Sequence, residues 1–279
     1  MAGIVTFNPD SARLAENLAA IAGAVDEIVI VDNNSANAAE VVALAGTFPH
    51  VRVIRHDENL GMAVALNTAM GWAADSGADW VMLLDQDSVC GVGMVTGLSE
   101  LAAPGVGIIA PEIVDRNIDE VPPLAGDPED VNHCITSGAL FSVAAWQAVG
   151  GYDTAMFMDF IDFDYCLRLR IAGWRIVATP QVFLLHEVGA SVRHGRFVSY
   201  NHSATRGFHM ARDMLYYAKK NRKAPRELTV HRPGVLFVHL LLLRKSLIIA
   251  AFEQDAPRRI LALAQGSIAA TFRESRLPR

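Results

Sequence analysis

An α/β fold built on a mostly parallel sheet is what this 279-residue sequence predicts, and three observations predict it. From Gly3 to Leu84, β-rich runs and segments of helical apolar period alternate four times, the pattern of right-handed strand–helix–strand units. Val81–Leu84 is an apolar run that ends directly in Asp85 and Asp87, as a buried strand does where it leaves a sheet towards a ligand site. Hydrophobic residues make up 52% of the chain and charged residues 19%, which excludes disorder and allows one large or two smaller domains.

The elements follow in order. Gly3–Thr6 is a short β-rich run. Over Asp10–Ala24 the apolar positions Leu14, Leu18 and Ile21, followed by Val25, recur at helical spacing. Glu27–Val31 is strand-like and passes into the polar turn Asp32-Asn33-Asn34-Ser35. Ala36–Phe48 is helical, and Val51–Arg55 alternates as a strand. Leu60–Ser76 reads as a helix, with Asn59 placed to cap it and Gly77 to stop it. Trp80–Leu84 is the fourth strand. Beyond it, Gly93–Leu101 predicts a short helix and Val106–Ile113 a strand. Asp115–Asp130 is acidic and proline-bearing, the composition of a mobile surface loop. Cys134–Val143 predicts a second buried strand region, broken at Ser137-Gly138, where glycine signals a bulge or a close approach to the backbone. Ala144–Val149 is a helical turn ended by Gly150-Gly151. Met158–Arg170 opens on acids and becomes helical, and Arg175–Thr179 and Gln181–His186 are β-rich on either side of Pro180.

Several of these places can carry chemistry. Asp85 and Asp87 at a strand end offer hard oxygens to Mg²⁺ or Mn²⁺, which take the rest of their shell from water and phosphates. The bland alternative is a pair of turn-capping carboxylates. Asp32 and Asn34 can meet a base edge or ribose hydroxyls, or simply close an Asx turn. In the second acidic cluster, carboxylates in a first helical turn are favoured as anions by the helix dipole, and one beside a cleft is a fair general base. Asp162 is assigned to chemistry and Asp159 to capping. Asp164 has the surface salt-bridge spacing to Arg168 and also stands on the acceptor side with Ser137 and Gly138. His186, closing the apolar run VFLLH, is a structural histidine or a third metal ligand. Gly189–Lys220 gathers bases and aromatics, among them Arg193, His194, Arg196, Tyr200, Arg206 and Arg212. Arginine forks match diphosphate oxygens, although most of such a segment is an ordinary solvated basic helix.

Other classes are excluded. The G-x-G-x-x-G and G-x-x-x-x-G-K-[ST] loops of dinucleotide and P-loop folds are missing after the first strand. A net charge of −6 argues against nucleic acid as partner. Cys90, Cys134 and Cys166 are odd in number and far apart, which fits free thiols in a reducing cytoplasm and gives no zinc pattern. Met1 runs into GIVTF without a signal peptide. In the tail, Val235–Phe252 is strongly apolar but interrupted by Arg244-Lys245, and the run before Arg244 falls short of the roughly 20 residues of a membrane span. With Arg232, Arg258 and Arg259 around it, it reads as a helix on an anionic membrane surface or as a packing surface for the catalytic domain or a second subunit of a homo-oligomer. Ile260–Phe272 is a final amphipathic helix.

Taken in order, GIVTFNP, VDNNS, ENLGMAVALN, LLDQDS, TSGALF, FIDFDYCLRLRIAGW and LLHEVG resemble the inverting family 2 glycosyltransferases of GT-A fold, and within them bacterial rhamnosyltransferases. The resemblance covers most of Gly3–Lys220. It implies a catalytic domain over 1–222, with a nucleotide-binding half (1–90) and an acceptor and base half (91–222), followed by a helical region at 223–279 that is membrane-peripheral or oligomerising. It implies nucleotide or donor contacts at Thr6, Asn8, Asp32, Asn34, Asn59, Gly61, Asp85, Arg206 and Arg212. It implies a divalent metal (Mg²⁺ or Mn²⁺) on Asp87 and Asp85 near His186, and Asp162 as base. Relatives commonly end the arginine stretch in Arg-Asn; here it is Arg212-Asp213, and the extra negative charge weakens Arg212 as a phosphate ligand. Ile161 stands where many relatives carry Glu. The implied reaction is transfer of L-rhamnose from dTDP-rhamnose to a hydroxyl of a cell-surface glycan or lipid-linked acceptor, in the cytoplasm or at the inner face of the membrane. Two alternatives are a UDP-sugar-dependent transferase and a non-catalytic subunit that binds nucleotide sugar or glycan. A sugar nucleotidyltransferase shares this type of sheet but needs a Gly-rich basic loop that FNPDSARL does not supply.

Overall fold

The computed structural model describes residues 1–116, 124–186, 192–194, 197–199, 202–229 and 234–272. Residues 117–123 of the expected acidic loop, and Arg196, Tyr200 and Arg232 of the basic segments, lie outside the described residues. The chain forms two compact units. One is Met1–Thr154 with Tyr165–Glu187; the other is Ala155–Asp164 with Val188–Arg279.

The first unit runs β1 (Ala2–Thr6), α1 (Ser11–Ile21), β2 (Ile28–Asp32), α2 (Ala38–Ala45), β3 (Val51–Arg55), α3 (Met62–Asp75) and β4 (Trp80–Asp85). It continues with β5 (Val89–Cys90), α4 (Met94–Ser99), β6 (Val106–Asp115), β7 (Glu129–Asp130), β8 (Leu140–Ser142), α5 (Val143–Ala148), α6 (Ile161–Ile171) and β9 (Arg175–His186), although the first residues of α6 count with the second unit. The sheet order is β3-β2-β1-β4-β8-β6-β9-β5, with β7 on β9. The first four strands in this order are parallel, β8 is antiparallel to both its neighbours, and β6 and β9 are parallel. The predicted mixed, mostly parallel sheet is therefore what forms.

Every residue of β1 and β2 is buried, as in strands covered on both faces. Ile4, Ile30, Met82 and Leu84 meet Leu14, Leu18 and Ile21 of α1 on one face. Each such side chain contributes about 1.5–3 kcal/mol by leaving water. Asp10 caps α1, its Oδ1 accepting the N–H of Ala12 and Arg13 at 2.9 and 3.0 Å. On the other face α3 buries a run of small residues, Ala63, Ala65, Ala69 and Ala73, which lets it lie close to β1. Gly3 is part of that approach, because a Cβ there would stand 2.9 Å from the Cβ of Ala69.

Three boundaries differ from expectation. Only Leu140–Ser142 of Cys134–Val143 is strand, because Gly138 turns the chain with φ +80° just ahead of it. The two runs around Pro180 are one strand, β9, whose register jumps between Thr179↔Pro111 and Phe183↔Glu112. Proline has no N–H for the ladder, so the chain bulges around it. The cap of α3 is Gly61 (φ +88°), and Asn59 instead accepts the Gly61 N–H from just ahead of the helix.

The second unit contains β10 (Val192–His194) and β11 (Phe197–Ser199), an antiparallel pair, then α7 (Ala204–Lys220), α8 (Val235–Phe252) and α9 (Ala256–Phe272). α7 packs on α9, and α8 on both. Met210, Leu215, Val238, Leu242, Ile249 and Leu263 form the core between them.

Gly3→Val is expected to destabilise the chain by about 1–3 kcal/mol through overpacking of β1 against α3. Urea unfolding measures this, and an unchanged midpoint would show that α3 yields freely.

Candidate active site

The carboxyl ends of the four parallel strands bring the first group of expected residues to one edge. Thr6, ending β1, pairs in register with Asp32, ending β2, which pairs with Arg55; Val5 pairs with Asp85, ending β4. In an open α/β sheet this is the edge at which ligands bind.

Side chains knit the loops there. The Thr6 hydroxyl donates to Asp32 Oδ1 at 3.1 Å, and the Ser35 N–H donates to Asp32 Oδ2 at 3.1 Å. The Arg55 guanidinium stands 3.7 Å from the same Oδ2. Asp32 is fully buried, so its carboxylate closes the turn, the plainer of its two expected roles. Asn8, with φ +49°, braces the turn from β1. Its N–H donates to Ser35 Oγ at 2.8 Å, and its Oδ1 accepts the Ala36 N–H at 2.7 Å.

Asn33 is the residue the sequence reading passed over. Its Nδ2 donates to Asn59 Oδ1 at 2.8 Å, and its Oδ1 accepts the Leu60 N–H at 3.0 Å. Asn59 Oδ1 also accepts the Gly61 N–H at 3.0 Å, so the N-x-G segment is tied directly to the end of β2. His56 spans Asn33 Oδ1 and Thr68 Oγ1, each at 3.1 Å. Burial lowers its pKa, with Asp32 and Asp57 opposing. Asn34, the residue expected here, takes the left-handed turn position (φ +67°), and its Oδ1 meets Arg55 Nη2 at 3.4 Å. A turn needs one such residue, and tolerance of positive φ used at 34 leaves 33 to do the linking.

The Asp85–Ser88 turn is clamped on every side. The Asp85 N–H donates to Ser137 Oγ at 3.0 Å, and the Asp85 carbonyl accepts Asn17 Nδ2 at 2.7 Å. Ser137 and Ser88 share a hydrogen bond of 2.7 Å, and Ser88 Oγ lies 2.9 Å from His186 Nδ1. Arg116 donates one nitrogen to the Asp87 carbonyl and another to Glu16, both at 2.9 Å. Phe7 N–H reaches Gln86 Oε1 at 2.8 Å. Backbone is held while the carboxylates stay half-exposed.

His186 Nδ1 is engaged by Ser88, and among the described residues no group of three or more His, Cys, Asp and Glu side chains is placed to hold a metal. The two carboxylates at this turn are Asp85 and Asp87. Two hard carboxylates fit Mg²⁺ or Mn²⁺ in the mode in which water and phosphate oxygens complete the shell. At Gly138 a Cβ would lie 2.7 Å from Leu184 Cδ2, so its smallness and positive φ serve packing and the turn. Ser137 does border open space, a cavity of about 300 Å³ whose other walls include Ala110, Pro111, Ile113, Ile135 and Ala178.

The acidic segment before and within α6 sorts differently from expectation. Asp164 is buried and makes a 2.7 Å ion pair with Lys220 and a 3.2 Å hydrogen bond from Asn221, so neither the surface bridge to Arg168 nor an acceptor role survives. Asp213 Oδ2 accepts the N–H groups of Phe157, Met158 and Asp159 at 2.8, 3.1 and 3.4 Å, while its Oδ1 takes Arg212 Nε and Nη2 at 2.8 and 2.6 Å. Arg212 is thus buried beside its own neighbour, near the rings of Phe157 and Phe208, and is withdrawn as a phosphate ligand. Asp159 does not cap α6. Phe160, with φ +63°, stands before the helix, and Asp159 Oδ2 is buried without a hydrogen bond. Burial pushes the Asp159 carboxyl up to about 6; Arg206 opposes this, and Asp213 adds to it. Asp162 is half-exposed in the first turn of α6. Arg206 is exposed in the first turn of α7, whose N-terminus Ser203 caps.

The sequence profile described as Glycosyl transferase family 2 matches residues 2–148. The chain is 25% identical over 258 residues to the dTDP-rhamnosyl transferase RfbF of Shigella flexneri, covering 86% of each chain. It is 26% identical over 228 residues to an N-acetylglucosaminyl-diphospho-decaprenol L-rhamnosyltransferase of Mycobacterium tuberculosis, covering 65% of this chain and 74% of that one. The crystal structure of S. aureus TarS 1-349 superposes with a TM-score of 0.59 at 13% identity, covering 95% of this chain and 79% of that one, which shows the GT-A type of fold.

Because its folded pKa is raised, Asp159 contributes stability that is present below its ordinary value of 3.8 and lost as pH rises through about 6. Asp159→Asn is therefore expected to raise Tm at pH 7.5 by roughly 2–4 °C for each kcal/mol recovered, and to change it little at pH 4. Thermal unfolding across this range checks it; an equal shift at both pH values would mean that the gain has another source.

Proposed function

The chain belongs to glycosyl transferase family 2 and is a glycosyltransferase, and from that premise we propose that it transfers L-rhamnose from dTDP-L-rhamnose, with inversion, to a hydroxyl of a lipid-linked or cell-surface glycan. The observation that carries this reading is the Asp87 carboxylate. It is half-exposed, accepts no hydrogen bond among the described residues, and sits on a turn whose backbone is clamped by Ser137, Asn17 and Arg116. A divalent cation held by Asp87, with Asp85 beside it, would supply the positive charge that a departing nucleoside diphosphate needs.

The chain's own groups do the rest. The Asp32–Asn33–Asn59 loops at the ends of β2 and β3 hold the nucleoside side of the donor through Asn8 and the exposed loop backbone, with Thr6 and Gly61 fixing those loops from beneath. Arg206 meets phosphate. Asp162 takes the proton of the acceptor hydroxyl as its oxygen attacks the anomeric carbon from the face opposite the diphosphate. The new C–O bond forms as the bond to the diphosphate breaks, so one base suffices and no covalent sugar–enzyme intermediate is needed.

The donor sugar is supported by the relatives, both of which carry rhamnosyl transfer in their names. The lipid-linked acceptor rests on the decaprenol in the mycobacterial relative's name. In this reading residues 1–90 serve the nucleotide, 91–222 the acceptor and base, and 223–279 are an appendix, with the reaction on the cytoplasmic side of a membrane.

Asp162→Asn is expected to keep donor binding and lose transfer by about three orders of magnitude. Asp87→Ala is expected to weaken donor binding only when Mg²⁺ or Mn²⁺ is present. Calorimetry with dTDP-rhamnose and UDP-sugars, followed by turnover with a lipid-linked acceptor, measures both. Near-normal turnover by Asp162→Asn would remove the proposed base, and preference for a UDP-sugar would replace the donor.

A further inference from the structure

The strongest unexplained feature is the outer surface of α8. Leu236, Leu240, Leu243 and Leu247 recur three and four residues apart and are 56–75% exposed, a continuous leucine stripe. The opposite side carries Val238, Leu242 and Ile249 into the core formed with α7 and α9. Contrary to expectation, the 18-residue helix is long and apolar enough to cross a membrane by length and composition. Its packing argues otherwise, since a face committed to α7 and α9 cannot also face lipid. α9 adds exposed Leu261 and Ile268.

Charge identifies what covers this face. Residues 188–279 hold 17 Lys and Arg against 5 Asp and Glu, a net of +12, whereas residues 1–187 hold 7 against 25, a net of −18. Every lysine lies in the later segment. Arg244 is exposed at the edge of the leucine stripe, Arg258 is exposed at the start of α9, and Lys223 and Arg226 are exposed in the connection from α7 to α8. A second copy seated here would bring two such positive segments together, which like charge disfavours. A surface that is both apolar at shallow depth and negative at its boundary satisfies both features at once.

We propose that the leucine face of α8, with its arginine edge, docks in the interface of a membrane bearing anionic lipid, with the helix lying in the plane of the bilayer. This does not depend on the donor or acceptor assigned above. Leucine side chains enter the boundary between headgroups and acyl chains, and Arg244 stays at headgroup level.

The test is flotation of the full-length chain with vesicles of phosphatidylcholine alone or mixed with phosphatidylglycerol. Binding is expected with phosphatidylglycerol, weak binding without it, and release at high salt. Arg244→Glu and Arg258→Glu should each weaken binding by about fivefold or more. Leu240→Ser with Leu243→Ser should abolish binding, while transfer to a soluble acceptor persists and light scattering shows the same particle mass as the parent. Equal binding to both vesicle types, or none to either, overturns the proposal. So does a parent dimer that the Leu240/Leu243 variant converts to monomer, which would assign the face to a second copy.

Discussion

Everything at the first unit's ligand edge depends on one hydrogen bond, from the Asp85 N–H to Ser137 Oγ. It joins β4 to a segment 52 residues away and fixes where the following turn leaves the sheet. Ser137 then passes the constraint on to Ser88, and Ser88 to His186 at the end of β9. Both serines are buried, so water cannot compete for these bonds and a lost partner would leave a polar group stranded. Strands from opposite parts of the sheet therefore set the position of a turn that carries two carboxylates, and the Asp87 carboxylate accepts no hydrogen bond among the described residues.

Polar residues at this edge find partners among their neighbours. His186 ends an apolar strand, and Ser88 meets its Nδ1. Asp32 follows the same logic, with Thr6, Ser35 and Arg55 around its carboxylate. A buried polar group needs partners whatever the site does, and sequence shows the group without showing the partner.

The first half of the fold was legible because it is locally determined. Each strand of β1 to β4 is a short apolar run, each intervening helix has its own period and stop, and handedness dictates the rest. Legibility fell where distant segments decide the outcome. Gly138 belongs to a turn required by Leu184, and Pro180 sits in a bulge that keeps β6 and β9 in one pairing. At the site, Asp85 and Asp87 were readable because a strand end announces them. Asn17, Asn33, Ser88 and Arg116 were not, since each acts through a partner from 26 to 98 residues away. The choice between Asn33 and Asn34 shows the limit most clearly. The two are chemically identical, and only the sign of φ separates the linker from the turn residue.

Charge in the second unit obeys a different rule, in which burial decides the role. Sequence marks a long basic segment, and all of it looks equally suited to phosphate. Lys220 is consumed by Asp164, Arg212 by Asp213, and Arg259 by Glu253 at 2.7 Å, each pair largely withdrawn from water. Removing one member of such a pair would strand a buried charge, so these residues hold the helices in register rather than await a ligand. The Lys220 and Arg212 pairs also fix the segment that delivers Asp162: Asp213 gathers three successive N–H groups before α6, and Asp164 anchors its first turn. Basic residues that remain exposed, Arg206 among them, are then the ones with charge to offer an anion. With Asp213 following Arg212, this place in the chain carries a carboxylate that gathers the backbone ahead of α6.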